Sequence, residues 1–392
     1  MRRLITAIVL LTAIPLIAQT RHQISKIEFH SRVPANILLT QSALTEDRTY
    51  SDEEIELALS RLRRLPFVYS AVYAIDGSTL VIDVADEYRA FVHFDSVLQG
   101  LNSTTAGYGY VSGDVGGRYE LKWGGVAEAS FGVLGEQHLS QTAWNAAYRQ
   151  YGLGGTRAFA MLGASGGGAG EITSPRLLIG YPLTLRQTVA ITASREGYSE
   201  GGQFGTAGHY TATTRLKNLE AQWQWDTTND PLFGTHGSAL SLAQGINRQT
   251  DFSESVSSTG KSLFLNDSQT NRSTTHLIAA KFWPVGRGAF TANVNSELGR
   301  GHLDFRRSLD IPYTRENTST RLTNATIGWA YNFFSSPASP HRNRIEIGVG
   351  LLDSDEKTGH FNHSDRYRTV QLGYAMRARW GSVHFVAAYL AE

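Results

Sequence analysis

The chain has 392 residues, no cysteine, 39 glycines, 17 phenylalanines, 17 tyrosines and 7 tryptophans, and its 36 basic and 35 acidic side chains leave a net charge of +1. The lack of cysteine excludes a disulfide scaffold, a thiolate metal site and a cysteine nucleophile, and the balanced charge gives no basic surface for a nucleic-acid partner. Only 18% of residues are charged and the mean hydropathy is -0.24, a mixture unlike a helical membrane protein but suited to strands that meet lipid with every second residue.

Met1-Arg2-Arg3 opens the chain, and Leu4 to Ala18 is apolar except for Thr6, Thr12 and Pro15. Polar Gln19-Thr20-Arg21 follows. This reads as a secretory signal over residues 1–18, cleaved near Ala18. The run is shorter than the ~20 residues a helix needs to span a bilayer. The expectation is an exported bacterial chain.

Residues 21–87 read as a small α/β module. Gln23 to Phe29 suits a short strand and Val33 to Leu44 a helix. Ser51 with Glu54 three residues on forms a capping box, in which each side chain satisfies a free backbone donor of the first turn. Ile55, Ala58, Leu59, Leu62 and Leu65 then mark one helical face, and Pro66 ends it. Val68 to Ile75 and Thr79 to Val84 are strands joined by an Asp76-Gly77 turn. The predicted order is β-α-α-β-β.

From residue 88 to 392 the pattern is alternation with period two. Leu219, Ala221, Trp223 and Trp225 oppose Asn218, Glu220, Gln222 and Gln224. Ile345, Ile347, Val349 and Leu351 oppose Arg344, Glu346, Gly348 and Gly350. A soluble sandwich also alternates, but here the polar faces are rich in Gly, Asn and Gln, as in a watery lumen. Trp and Tyr recur at the ends of the apolar faces, where headgroups would lie. The fold class predicted is mainly β: a transmembrane antiparallel barrel behind the small module. Fifteen strands are identifiable, the last at 382–391. Residues 247–272, 300–321 and 354–365 read as long external loops.

The module's landmarks are Tyr50-Ser51, Leu62 to Phe67 (LRRLPF) and Val84-Ala85-Asp86-Glu87. They resemble the POTRA (polypeptide-transport-associated) domain. Asp226-Thr-Thr-Asn-Asp-Pro-Leu-Phe-Gly-Thr-His-Gly237 resembles the D-T-R-D-N-P-x-x-P-T-x-G turn of the outer-membrane barrel superfamily of BamA, TamA and two-partner secretion. In physical terms, Asp226 and Asp230 can bond nearby amides, Pro231 fixes φ and Gly237 permits an unusual backbone angle. Thr228 and Gly234 depart from the pattern.

The resemblance implies a sixteen-strand barrel in the bacterial outer membrane with the POTRA domain in the periplasm. Its partners would be outer-membrane lipid and unfolded polypeptide clients that add a strand to the open POTRA edge. It implies insertion or translocation of those clients, helped by a weak barrel seam, without cofactor or covalent catalysis. It also implies a lumenal pair between an R-G loop and a strand-thirteen aspartate. Here the candidates are Arg300-Gly301 (or Arg306, Arg307 or Arg315) and Asp353. The Arg-Gly pair lacks the family's following aromatic, and the chain ends Tyr389-Leu390-Ala391-Glu392 without the aromatic terminus usual there. A passive pore and a structural surface protein with a vestigial POTRA domain are the alternatives.

Gly163-Ala164-Ser165-Gly166-Gly167 matches the G-x-S-x-G pattern of a nucleophile elbow. No helical pattern follows it, as an elbow requires. His360 and His363 near Asp353, Asp355 and Glu356 read as polar loop composition rather than a metal site.

Overall fold

The computed structural model describes residues 20–101, 108–121, 123–136, 139–167, 171–203, 208–230, 232–257, 262–307, 314–333, 341–358 and 361–391. The expected signal, residues 1–18, lies outside them. Among the described residues no helix is long and apolar enough to cross a membrane, a statement that does not bear on strands.

The N-terminal elements are β1 (Arg21–Ile24), β2 (Lys26–His30), α1 (Ala35–Ser42), β3 (Arg48–Ser51), α2 (Asp52–Arg63), β4 (Val68–Asp76) and β5 (Thr79–Asp86). In the three-stranded sheet β5 is central, parallel to β2 and antiparallel to β4. The single strand expected over Gln23–Phe29 is broken. At Ser25 the chain leaves one sheet, where β1 pairs with β3, and enters the other. Ser25 N donates to Ser78 O at 2.9 Å and fixes the break. The capping box of α2 is complete: Glu54 N donates to Ser51 Oγ at 3.2 Å and Ser51 N to Glu54 Oε2 at 2.9 Å. Ile55, Ala58, Leu59 and Leu62 on its inner face are fully buried.

The barrel strands are β6 (Ala90–Leu101), β7 (Tyr108–Glu120), β8 (Gly125–Glu136), β9 (Leu139–Tyr151), β10 (Phe159–Gly167), β11 (Glu171–Ile172), β12 (Ser174–Pro182), β13 (Gln187–Gln203), β14 (Gly208–Asp226), β15 (Gly237–Ser257), β16 (Ser262–Val285), β17 (Gly288–Arg307), β18 (Thr314–Phe333), β19 (His341–Thr358), β20 (Phe361–Ala378) and β21 (Gly381–Ala391). One sheet holds all sixteen, but the two-residue β11 pairs only with β13, above β12. Fifteen staves therefore close the barrel, and the sixteen implied by the resemblance are not reached. With antiparallel neighbours all the way round, an odd count makes the first and last strands run the same way. The closing pair, β21 with β6, is accordingly parallel.

The register assigns each residue a face. Val92, Val115, Phe131, Leu162, Ile179, Ile191, Leu219, Ile246, Ile327 and Ile347 point outward and are exposed. This apolar belt, flanked by Trp144, Tyr181, Trp283 and Trp329, is far too extensive for a surface in water and fits hydrocarbon. Glycine, Asn, Thr and charged residues face the lumen.

The staves are unequal. β10 and β12 have 9 residues each, whereas β16 has 24, and about 9–11 residues cross a bilayer. The segments expected as loops at 247–272, 300–321 and 354–365 are mostly extensions of β15 to β20. Beyond the belt both faces of a strand meet water, so the apolar alternation disappears while the backbone ladder continues.

Candidate functional site

The module seats on the barrel mouth at the end where β6 begins. One hydrophobic core runs through both: Val126 and Tyr151 of the barrel pack with Ile37, Leu62 and Phe67 of the module. The Phe67 and Tyr151 rings meet edge to face at 5.6 Å. Around this core α2 docks on the barrel turns. Ser60 Oγ donates to Thr228 O at 2.8 Å, Arg63 Nη1 to Asn229 O at 2.8 Å, and Arg64 pairs with Asp226 at 2.6 Å. Arg61 donates to Thr184 O, and Arg186 pairs with Glu53 at 3.2 Å. Burial beside Arg64 and Arg157 pulls the Arg61 guanidinium down to about 10, so it remains a cation at neutral pH.

The turn from β14 to β15 folds across the mouth. Asp226 Oδ1 accepts from Thr228 N at 2.7 Å, and Asp230 Oδ1 accepts from Leu232 N at 3.0 Å and Phe233 N at 2.8 Å. Gly237 has φ +106°, and a Cβ there would lie 2.2 Å from Thr227 O. The turn reaches strands three and four places round from β15. Asn332 Nδ2 of β18 donates to Phe233 O at 3.0 Å, and Arg344 Nη1 of β19 to Gly234 O at 3.0 Å. Arg342 of β19 pairs with Asp230 at 2.8 Å and stacks its guanidinium 4.4 Å from the centre of the Phe233 ring. Burial pushes the Asp230 carboxyl up, but Arg342 and the two amides outweigh it and hold it below the ordinary value.

A second cluster sits at the base of the parallel seam. Glu87 joins the module to β6 and is buried. Its carboxylate receives Arg118 of β7 at 2.9 Å and Arg377 of β20 at 2.6 Å. Those strands flank β6 and β21, so the three side chains bridge the seam on its lumenal side. Arg377 Nη2 also donates to Val68 O at 2.8 Å, tying the same point to β4. Higher in the seam, His93 Nδ1 lies 2.8 Å from Ser382 Oγ and His384 Nδ1 lies 3.1 Å from Asp95 Oδ1. The seam spans ten residue pairs, against twenty between β15 and β16. Gly381, at φ +142°, starts β21 so close to β6 that a Cβ would lie 1.7 Å from Val92 O.

The expected site residues divide. Asp226, Asp230 and Gly237 shape the mouth turn; Pro231 lies outside the described residues. Arg300 and Gly301 are not in a loop but in β17, opposite Ser319 and Thr318, and Arg306, Arg307 and Arg315 continue the same two strands. Asp353 is on the outward face, where it pairs with Arg321 at 2.6 Å and Arg366 at 3.3 Å. The lumenal Arg300–Asp353 pair is therefore corrected: both side chains sit on the outer surface, separated by β18. Glu87, Arg118, Arg377, Arg342 and Arg344 were missed as site residues. Their signal is a charge at an inward position near a strand's module-facing end. Ser165 lies within β10, in extended backbone, not on a strand-to-helix elbow. It lines a lumenal cavity of about 720 Å³ with Arg176, Glu196, Asn218 and Glu220.

No family model matches the chain, and no curated protein matches it. Among solved structures it is similar to the ferric citrate transporter FecA in its unliganded form, at 8% identity and TM-score 0.38, over 80% of this chain. It spans 62% of the length of that transporter. It is also similar to BamA from Haemophilus ducreyi lacking POTRA domains 1–3, at 11% identity and TM-score 0.36, over 93% of this chain and 84% of that one. Likenesses this distant assign nothing beyond the architecture already visible in the strands.

Proposed function

We propose that the chain is a bacterial outer-membrane protein whose N-terminal POTRA-like module, on the periplasmic side, assists insertion or translocation of other polypeptides. The apolar belt and the signal-like composition of residues 1–18 support the location. The central position of β5 between β2 and β4 supports the POTRA reading, because it leaves β2 and the exposed half of β4 at the sheet's edges for an extended chain to join.

The observation that carries the functional reading is the seam. The one parallel junction among the described barrel strands is also tied to the module, through Glu87. A client held at a module edge is thereby connected to the barrel's parallel closing pair, whose slanted ladder is slightly less stable per residue than an antiparallel one. No covalent step is required. The roles belong to backbone edges and to the clamp formed by Arg118, Glu87 and Arg377.

A second reading, a gated solute channel, is favoured by the lumenal cavity with Arg176, Glu196 and Glu220. In that reading the module and the turn carrying Phe233 act as the gate. Depletion separates the two. Under the first, levels of other barrels or of a secreted protein fall while solute uptake is unchanged. Loss of solute permeability with client levels intact would overturn the first reading in favour of the second.

A further inference from the structure

Arg195 of β13, Lys217 of β14 and Arg248 of β15 stand directly opposite one another across two strand pairs. All three point outward and are exposed. Arg215, also outward and exposed, lies two residues from Lys217 on the side away from the module. Like charges placed opposite each other in a ladder repel and weaken the sheet, yet this row has no compensating carboxylate among the described residues. Arg248 Nη2 donates to Gln269 Oε1 at 2.7 Å, a neutral group. Elsewhere on the outer surface the sheet does balance its charge, with Arg321 held by Asp353 and Asp355 at 2.6 and 2.7 Å. The unbalanced row therefore stands apart.

Its position suggests its counterion. The next outward residues toward the module are Ala193, Leu219 and Ile246, again in one row, and Leu219 is 52% and Ile246 65% exposed. The cations thus begin one pleat beyond the apolar belt, at the depth where acyl chains give way to headgroups. Adjacent strands are about 4.8 Å apart, so the row is about 10 Å wide, a span that fits two phosphates on one headgroup. Guanidinium groups suit phosphate oxygens because they donate in a planar fork.

The geometry points to a lipid-binding site: Arg195, Lys217 and Arg248, with Arg215 behind them, hold the headgroup of a multiply phosphorylated lipid in the leaflet facing away from the module. Its acyl chains lie along Leu219 and Ile246. This rests on reading the barrel as membrane-embedded. The like-charge row is stable there because the leaflet supplies the anion.

The test uses the full chain in zwitterionic micelles, titrated with a diphosphorylated glycolipid. Wild type is compared with the triple variant Arg195→Gln, Lys217→Gln, Arg248→Gln. A control carries glutamine at Arg21, Lys26 and Arg48 on the module. With roughly a fivefold loss for each cation, the triple variant should bind the glycolipid about a hundredfold more weakly and the control unchanged. The unfolding midpoints should also cross: without anionic lipid the triple variant is the more stable, because the repulsion is relieved, and with it wild type is. Equal glycolipid affinity in folded wild type and triple variant overturns the site. So does inorganic phosphate competing at equal concentration, which would make the row a free-anion site. If the membrane reading itself is wrong, wild type and variants alike will fail to gain protease protection in vesicles, a result separable from a folded barrel without lipid preference.

Discussion

Removing the Asp230 carboxylate isolates a buried cation. Asp230 and Arg342 have side chains only 6% and 4% exposed. Arg342 Nε has no hydrogen-bond partner, so Asp230 is its neutralising contact. Asp230→Ala removes that pair and also frees the amides of Leu232 and Phe233. Breaking one side of a buried pair costs about 3–5 kcal/mol. Asp230→Asn keeps an oxygen for the two amides and should lose less, about 2 kcal/mol. Adding Arg342→Met to Asp230→Ala removes the orphan charge, and the double variant should recover to within about 1–2 kcal/mol of wild type. The measurement is urea unfolding of the full chain in phosphatidylcholine vesicles, followed by tryptophan fluorescence. A loss below about 1 kcal/mol for Asp230→Ala, or a double variant that loses the sum of both single changes, would refute the claim that this pair anchors the mouth turn.

Acid should expose the same carboxylate. Its folded pKa is depressed, so its contribution is complete above the unfolded value near 3.9 and lost as pH falls through the lower folded value. The stability gap between wild type and Asp230→Ala should hold from about pH 7 to about pH 5 and narrow progressively once the pH falls below about 3.9; a gap that widens as the pH falls contradicts this. The parallel seam is testable in a chain without natural cysteine. Cysteines replacing Phe94 and Val383, or Ser96 and Phe385, should each be joined by a short dithiol cross-linker, since both numbers rise together along the register; linkage of one pair only would argue for an antiparallel closure. Gly381→Ala should lower the heat-modifiable fraction of refolded protein, whereas Gly373→Ala, whose Cβ meets nothing nearer than 3.6 Å, should not. Equal yields would remove the close approach at the seam base.

The count of fifteen staves was legible because most cross the belt with alternating apolar residues, but the boundary between β7 and β8 was not: the strand expected over 118–130 runs across the turn after Glu120, where Gly116, Gly117 and Gly125 blur the period. The extensions of β15 to β20 were not legible either, because segments such as Asn266 to Ser273 are polar on both faces and carry no period. The turn around Asp226 and Gly237 was readable as a turn from its Asp, Asn and Gly residues. Its reach to Arg342 was not, since nothing local connects positions 112 residues apart. The same blindness affected Arg300 and Asp353: a spacing borrowed from sixteen staves assigned both to the lumen, and the register of β17, β18 and β19 turns both outward. Glu87 ended a recognised hairpin pattern, but its two arginines come from the far flanks of the seam.

The odd number of staves also has a meaning for whatever meets the seam. β6 and β21 point the same way, so one additional strand lying between them and pointing the other way would be antiparallel to both. It would exchange a single slanted ladder for two perpendicular ones and make the ring even. A strand added there would have a defined direction: it would run from the end away from the module and finish beside Glu87.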